Sequence, residues 1–203
     1  MTETRFASTL PERRPGVLRE IREAEGSVHV AGHPAVFNQV ADIGGWFREK
    51  IMPGAFARAI REDDVPFLIE HAGLPLARNT SGTLALAEDG QGLAMDARLD
   101  GSDPDVQRIV PKMQRGDLNK MSFGFLATRQ EWDETGEIPL RIIHECRLFD
   151  VSIVTMPAYA GTDIGLRSLA EWRSAHPPAK GAPVIATRLR MRLAGRTRGL
   201  AIR

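Results

Sequence analysis

Between Lys120 and Phe125 the chain alternates in two parities. Met121, Phe123 and Phe125 take one, and Ser122 and Gly124 take the other. Successive side chains of a strand point to opposite faces. The apolar set therefore packs inward, and Ser122 opens onto a face that Gly124 leaves clear. A core strand with an incidental serine shows the same pattern, so the neighbouring segments decide between the two readings.

The same periodicities lay out the other elements. Residues 17–23 alternate, Ala24-Glu-Gly makes a turn, and residues 27–30 and 35–37 resume the alternation, a hairpin signal. His29 and His33 fall on this strand-and-turn stretch, which gives them a structural or surface role. Residues 41–53 read as a loop bearing glycine and tryptophan. From Pro53, Phe56, Ala59 and Ile60 form the stripe of a short helix. Residues 65–70 are a short apolar strand that ends at His71. Asp89-Gly90 joins two alternating runs, 82–88 and 92–99. Asp103-Pro104 starts a helix that stops near Gly116. The strands 120–132 and 140–154 flank a turn at 134–136 and pair antiparallel. Residues 166–172 add one or two helical turns, and 176–183 form a Pro-containing linker.

The sum is a β-rich α+β chain, with a closed or strongly curved sheet to cover its edges. Residues 1–15 read as a flexible arm, 16–172 as one domain, and 173–203 as a linker with a basic, disordered tail. From Lys180 onward that tail carries seven basic residues and no acidic one. It suits an acidic partner, nucleic acid or plain solvation.

Composition narrows the function classes. The 203 residues are 42% hydrophobic with a net charge of +1, so no global field favours nucleic acid or a membrane surface. A single cysteine, Cys146, excludes an internal disulfide and a cysteine-based zinc site, and fits a reducing compartment. No apolar run is long enough to span a bilayer. No cofactor or metal motif stands out.

Candidate chemistry gathers at Ser122, His71 and one of two neighbours, His144 or Glu145. A serine hydroxyl needs a base within hydrogen-bond reach, and the base needs a third group to orient it. His71, at the junction of a buried strand and a Gly/Pro loop, supplies the base. For the third member, Ile142, Cys146 and Leu148 share parity with His144, which places Glu145 on the Ser122 face. Ile143, Phe149 and Val151 carry the opposite parity, so a bulge near Asp150 would shift the register. With the hairpin closed at Thr135 and Gly136, Glu145 lies roughly 13 Å along the partner strand from Ser122, at about 3.3 Å per residue. The absence of a Gly-x-Ser-x-Gly elbow and of βαβ alternation argues against an esterase fold.

Seven segments, in order, carry a resemblance. They are Gly32-His-Pro-Ala-Val-Phe-Asn, Ile51-Met-Pro-Gly-Ala-Phe, Glu70 to Arg78, Gly82-Thr-Leu, Arg115-Gly-Asp-Leu, Met121-Ser-Phe-Gly-Phe, and Leu148-Phe-Asp-Val-Ser-Ile-Val-Thr-Met-Pro-Ala-Tyr. Together, over roughly residues 28–162, the chain resembles the prohead serine proteases of tailed bacteriophages, which are similar in fold to the herpesvirus assemblins. The resemblance implies an antiparallel β-barrel ringed by short helices, with Ser122 as nucleophile, His71 as base and Glu145 as the acidic third member. The assemblins use a second histidine there, which keeps His144 as the alternative. It further implies cleavage of the major capsid protein precursor, of scaffold segments and of the chain itself inside the procapsid, in the host cytoplasm. A homodimer follows from the assemblins, and residues 174–203 are expected to be removed by self-processing or to contact the scaffold within the shell. A non-catalytic assembly protein with the same barrel is the competing reading. The flanks of His71, Glu70 and Ala72, depart from the Asn or Asp common near that histidine in the family.

Overall fold

A computed structural model describes residues 11–24, 26–156 and 162–176. Ten strands and three helices follow one another: β1 (Glu12–Ala24), β2 (Ser27–Val36), β3 (Ala41–Ile43), β4 (Phe47–Ile51), α1 (Ala57–Glu62), β5 (Pro66–Ile69), β6 (Ala72–Arg78), β7 (Leu84–Glu88), β8 (Gly92–Asp100), α2 (Pro104–Arg115), β9 (Lys120–Asp133), β10 (Leu140–Val154) and α3 (Thr162–Ala175). The strands pair in the order β3-β4-β10-β9-β1-β2-β8-β7, with β5 on a second stretch of β10 and β6 on β5.

The β9–β10 hairpin is the spine of this sheet. Its antiparallel register runs from Leu140↔Asp133 to Val154↔Lys120. On one face Met121, Phe123, Phe125, Val151 and Ile153 are wholly buried. Phe123 stacks on Phe125 at 4.9 Å and meets Phe56 edge-on at 5.5 Å. Each such ring, fully buried, contributes roughly 1.5–3 kcal/mol. Local signals fix the other elements. Asp103 accepts the Asp105 amide at 2.7 Å and Gly116 closes α2 in the left-handed region. Asp89 accepts the amides of Gln91 and Gly92 in the β7–β8 turn, and also contacts His33 Nε2 at 2.8 Å.

The sheet corrects the expectation of a closed antiparallel barrel. Among the described residues no pairing joins β3 to β7, so the path stays open. It is also mixed, because β4 and β5 both run parallel to β10. Three segments differ from their expected state. Residues 72–78, expected as a Gly/Pro loop, are strand β6, paired to β5. Residues 12–15, expected in the flexible arm, are strand, with Glu12 and Arg14 buried. Residues 41–51, expected as loop, are the β3–β4 hairpin, whose Gly44-Gly45 turn hid the inward alternation of Phe47, Glu49 and Ile51. Helix α3 closes over this end. Gly165 admits the Phe47 ring, since a Cβ there would lie 2.3 Å from Phe47 Cζ. The basic tail from Lys180 lies outside the described residues.

Candidate active site

The register of β9 and β10 places four small or polar residues on one face. Ser122 stands opposite Ser152, and Gly124 opposite Asp150. Asp150 reaches this face through a bulge. The register slips between Leu148 and Asp150, leaving Phe149 unpaired. Leu148 is buried in the core, and without the extra residue Asp150 would share its face.

His71 arrives from the other side. Strand β5 lies parallel to β10 with Leu68 beside Ser152, and Glu70 and His71 form the two-residue turn into β6. Both have positive φ, 53° and 59°. A two-residue hairpin turn needs this geometry to match the sheet twist, and usually takes Asn or Gly there. Neither is present. The turn is tied down by Glu70, whose amide donates to the Ile153 carbonyl at 3.0 Å and whose Oε1 accepts the Thr155 amide at 2.7 Å.

The three side chains make one line. His71 Nε2 lies 2.8 Å from Ser122 Oγ, and His71 Nδ1 lies 2.6 Å from Asp150 Oδ1. Ser122 is fully buried, while the side chains of His71 and Asp150 keep 5% and 10% of their exposure. The arrangement suits proton transfer from a hydroxyl to an imidazole oriented by a carboxylate.

Of the residues expected from the sequence, Ser122 and His71 come together, and Glu145 and His144 do not join them. Glu145 Oε1 accepts the Thr128 hydroxyl at 3.1 Å and lies 3.5 Å from Arg58 Nη1. His144 Nε2 faces Glu131 at 3.2 Å. The hairpin closes later than the expected Thr135–Gly136 turn implies. Ser122 pairs with Ser152, so Glu145 lies seven residues away along β10, roughly 23 Å at about 3.3 Å per residue. The missed acid is Asp150. Its signal was present as a carboxylate inside the apolar run from Leu148 to Val154, at the point where the parities of Cys146–Leu148 and Phe149–Val151 conflict.

The opposite face of the same strands holds a second polar cluster. Arg14 contacts Glu49 through two bonds, at 2.5 and 2.8 Å, and Glu12 at 2.9 Å. Arg141 contacts Glu12 at 2.5 and 2.8 Å and Glu49 at 3.0 Å, and donates to Gln130. Gln130 passes the network to Ser168 of α3 at 2.8 Å. Burial opposes every charge here. The two carboxylates nevertheless hold Arg14 and Arg141 above their usual range, and the two guanidiniums hold Glu49 below the usual carboxylate range. Burial pushes the Cys146 thiol well above its ordinary value, the opposite of a reactive thiolate. Among the described residues no group of three or more His, Cys, Asp or Glu is placed to hold a metal ion, and no helix is long and apolar enough to cross a membrane.

The sequence of residues 17–174 matches the family of caudovirus prohead serine proteases. The chain belongs to that family. No curated protein matches it. A solved structure of the bacteriophage T4 capsid assembly protease, gp21, is similar at 13% identity and a TM-score of 0.46, with 72% of this chain and 99% of that chain covered. The family match takes in β9, β10 and the β5–β6 turn, and so every residue of the Ser122–His71–Asp150 line.

Proposed function

We propose that the chain is a serine endopeptidase with Ser122 as nucleophile, His71 as general base and Asp150 as the orienting acid. The observation that carries this reading is the line from Ser122 Oγ through both ring nitrogens of His71 to Asp150 Oδ1. His71 takes the Ser122 proton as Oγ attacks a peptide carbonyl. The resulting tetrahedral adduct collapses when His71 protonates the leaving amine, and an acyl-enzyme remains. Water, deprotonated by His71, then releases the new carboxyl end. Asp150 holds the ring with Nδ1–H toward itself and stabilises the imidazolium in both halves.

The family supports a place inside the immature shell, in the host cytoplasm, with the capsid-protein precursor and scaffold segments as substrates and the chain itself as a further one. Assemblin-like homodimerisation belongs to the same reading. Coexpression with the capsid-protein precursor tests it. The precursor shortens with the intact chain and stays full-length with Ser122→Ala. Processing by the alanine variant overturns the assignment.

One observation favours the competing reading of a non-catalytic assembly protein, namely that Ser122 has no exposed surface. A fluorophosphonate probe separates the two. Labelling at Ser122 in assembling shells supports the peptidase. No labelling there, with normal assembly, supports the structural role.

A further inference from the structure

The line of contacts at the candidate site does not end at Asp150. Ser152 Oγ donates to Asp150 Oδ1 at 2.7 Å, the same oxygen that faces His71 Nδ1 at 2.6 Å. Ser152 is wholly buried and stands directly across the ladder from Ser122. The other carboxylate oxygen is confined as well. A Cβ at Gly124 would lie 2.3 Å from Asp150 Oδ2, so the carboxylate occupies the space that glycine leaves.

We infer that Ser152 is a positioning residue. With Gly124 it forms a slot that locks the Asp150 carboxylate, so that Oδ1 is aimed at His71. This inference rests on the peptidase reading above. A carboxylate rotates freely about its Cβ–Cγ bond unless both oxygens are held. Gly124 limits one oxygen by contact, and the Ser152 hydroxyl limits the other by a charge-assisted bond. The hydroxyl also withdraws charge from Oδ1. It thereby moderates the pull of Asp150 on the Nδ1 proton of His71.

Ser152→Ala removes the donor and leaves the fold's apolar contacts in place. Loss of a hydrogen bond to a charged group, about 1.5–3 kcal/mol, corresponds to a fall in kcat of roughly 10- to 100-fold with KM unchanged. The acid limb of the kcat/KM profile moves to higher pH, because the unmoderated carboxylate holds the imidazolium more tightly. The other charged groups on this side are Glu70 beside His71, Lys120 on β9 and Arg13 on β1. Arg13 shares the Ser122 face through its register with Gly124, and all three are present in both proteins. Ser152→Thr keeps a hydroxyl and restores the wild-type limb.

A second readout is independent of turnover. The low-field proton resonance of the His71–Asp150 hydrogen bond, recorded in a Ser122→Ala background, shifts and broadens on Ser152→Ala and recovers with Ser152→Thr. An unchanged acid limb and an unchanged resonance in Ser152→Ala overturn the role of Ser152. Absence of any such resonance in Ser122→Ala, together with absence of turnover in the unsubstituted chain, overturns the peptidase reading instead.

Discussion

Two buried polar clusters sit on opposite faces of the sheet, one held by β1, β4 and β10 and the other by β9, β10 and the β5–β6 turn, and they differ in one respect. The Glu12–Arg14–Glu49–Arg141 quartet balances its own charges and ends on protein groups. Its two cations meet its two anions, and bonds leave it for other protein groups, from Arg141 to Gln130 and on to Ser168, and from Arg14 to the Arg13 carbonyl. The line on the other face runs from Ser152 through Asp150 and His71 and ends at Ser122 Oγ, a hydroxyl whose next partner is the substrate in the proposed chemistry. A closed network is rigid and inert. An open-ended one keeps a proton in play. The same sheet thus carries a structural cluster and, in the proposed chemistry, a reactive one, distinguished by whether the chain of bonds terminates inside the protein.

The contrast yields opposite signatures on substitution. The largest effect belongs to Ser122→Ala, which lowers kcat for precursor cleavage by about a million-fold while the melting temperature stays within a few degrees. Asp150→Asn follows, with a loss of about ten-thousand-fold in a cleavage assay, because the amide favours the wrong tautomer of His71. The quartet responds the other way round. Arg141→Met leaves Glu12 and Glu49 buried with one cation between them and costs about 3–5 kcal/mol of stability. In a chain of this size that is roughly 10 °C in a thermal melt. The remaining folded fraction keeps its turnover rate.

Acid separates the clusters further. The folded value of Glu49 is depressed, so its contribution to stability is complete above the usual carboxylate range and is lost as pH falls through the depressed value. Chemical denaturation at stepwise lower pH shows this decline in the wild type, and Glu49→Gln flattens it. The smallest effect is the sharpest test of the site. Glu145→Gln and His144→Ala each leave turnover within about two-fold, since their side chains pair with Thr128, Arg58 and Glu131 and not with the Ser122–His71–Asp150 line. A large loss in either would return the acidic role to that strand segment.

The hairpins and α2 were legible because their signals are local. Asp89-Gly90, the Asp103-Pro104 cap and the alternation around Ser122 each need only a few neighbouring residues. What escaped was non-local. Glu12, Arg13 and Arg14 look like a solvated arm until Glu49 and Arg141, 35 and 129 positions away, are brought beside them. Asp150 escaped because a bulge is a property of two strands. Parity along β10 alone shows a conflict near Phe149, and only the pairing with Gly124 shows which residue is extruded. Glu145 was favoured on a parity that holds after His144, where Cys146 and Leu148 are buried, but fails before it, where Arg141 and Ile143 are the buried pair. The slip around His144 places Ile143 and Cys146 in the core on opposite sides of it.

The turn that carries His71 has a wider consequence. Two residues with side chains sit there in a conformation each enters at a cost of order 1–3 kcal/mol, held by the short β5–β6 pairing and the Glu70 bonds. Strand β6 pairs with β5 alone, and its first four residues are exposed. Fraying that margin would withdraw the imidazole from Ser122 while the β9–β10 core and the ion quartet stay intact. Activity and foldedness are thus separable quantities in this molecule. A protein that is fully native by melting temperature or circular dichroism can still be disarmed, and the amide exchange rates of residues 70–74 report which condition a sample is in.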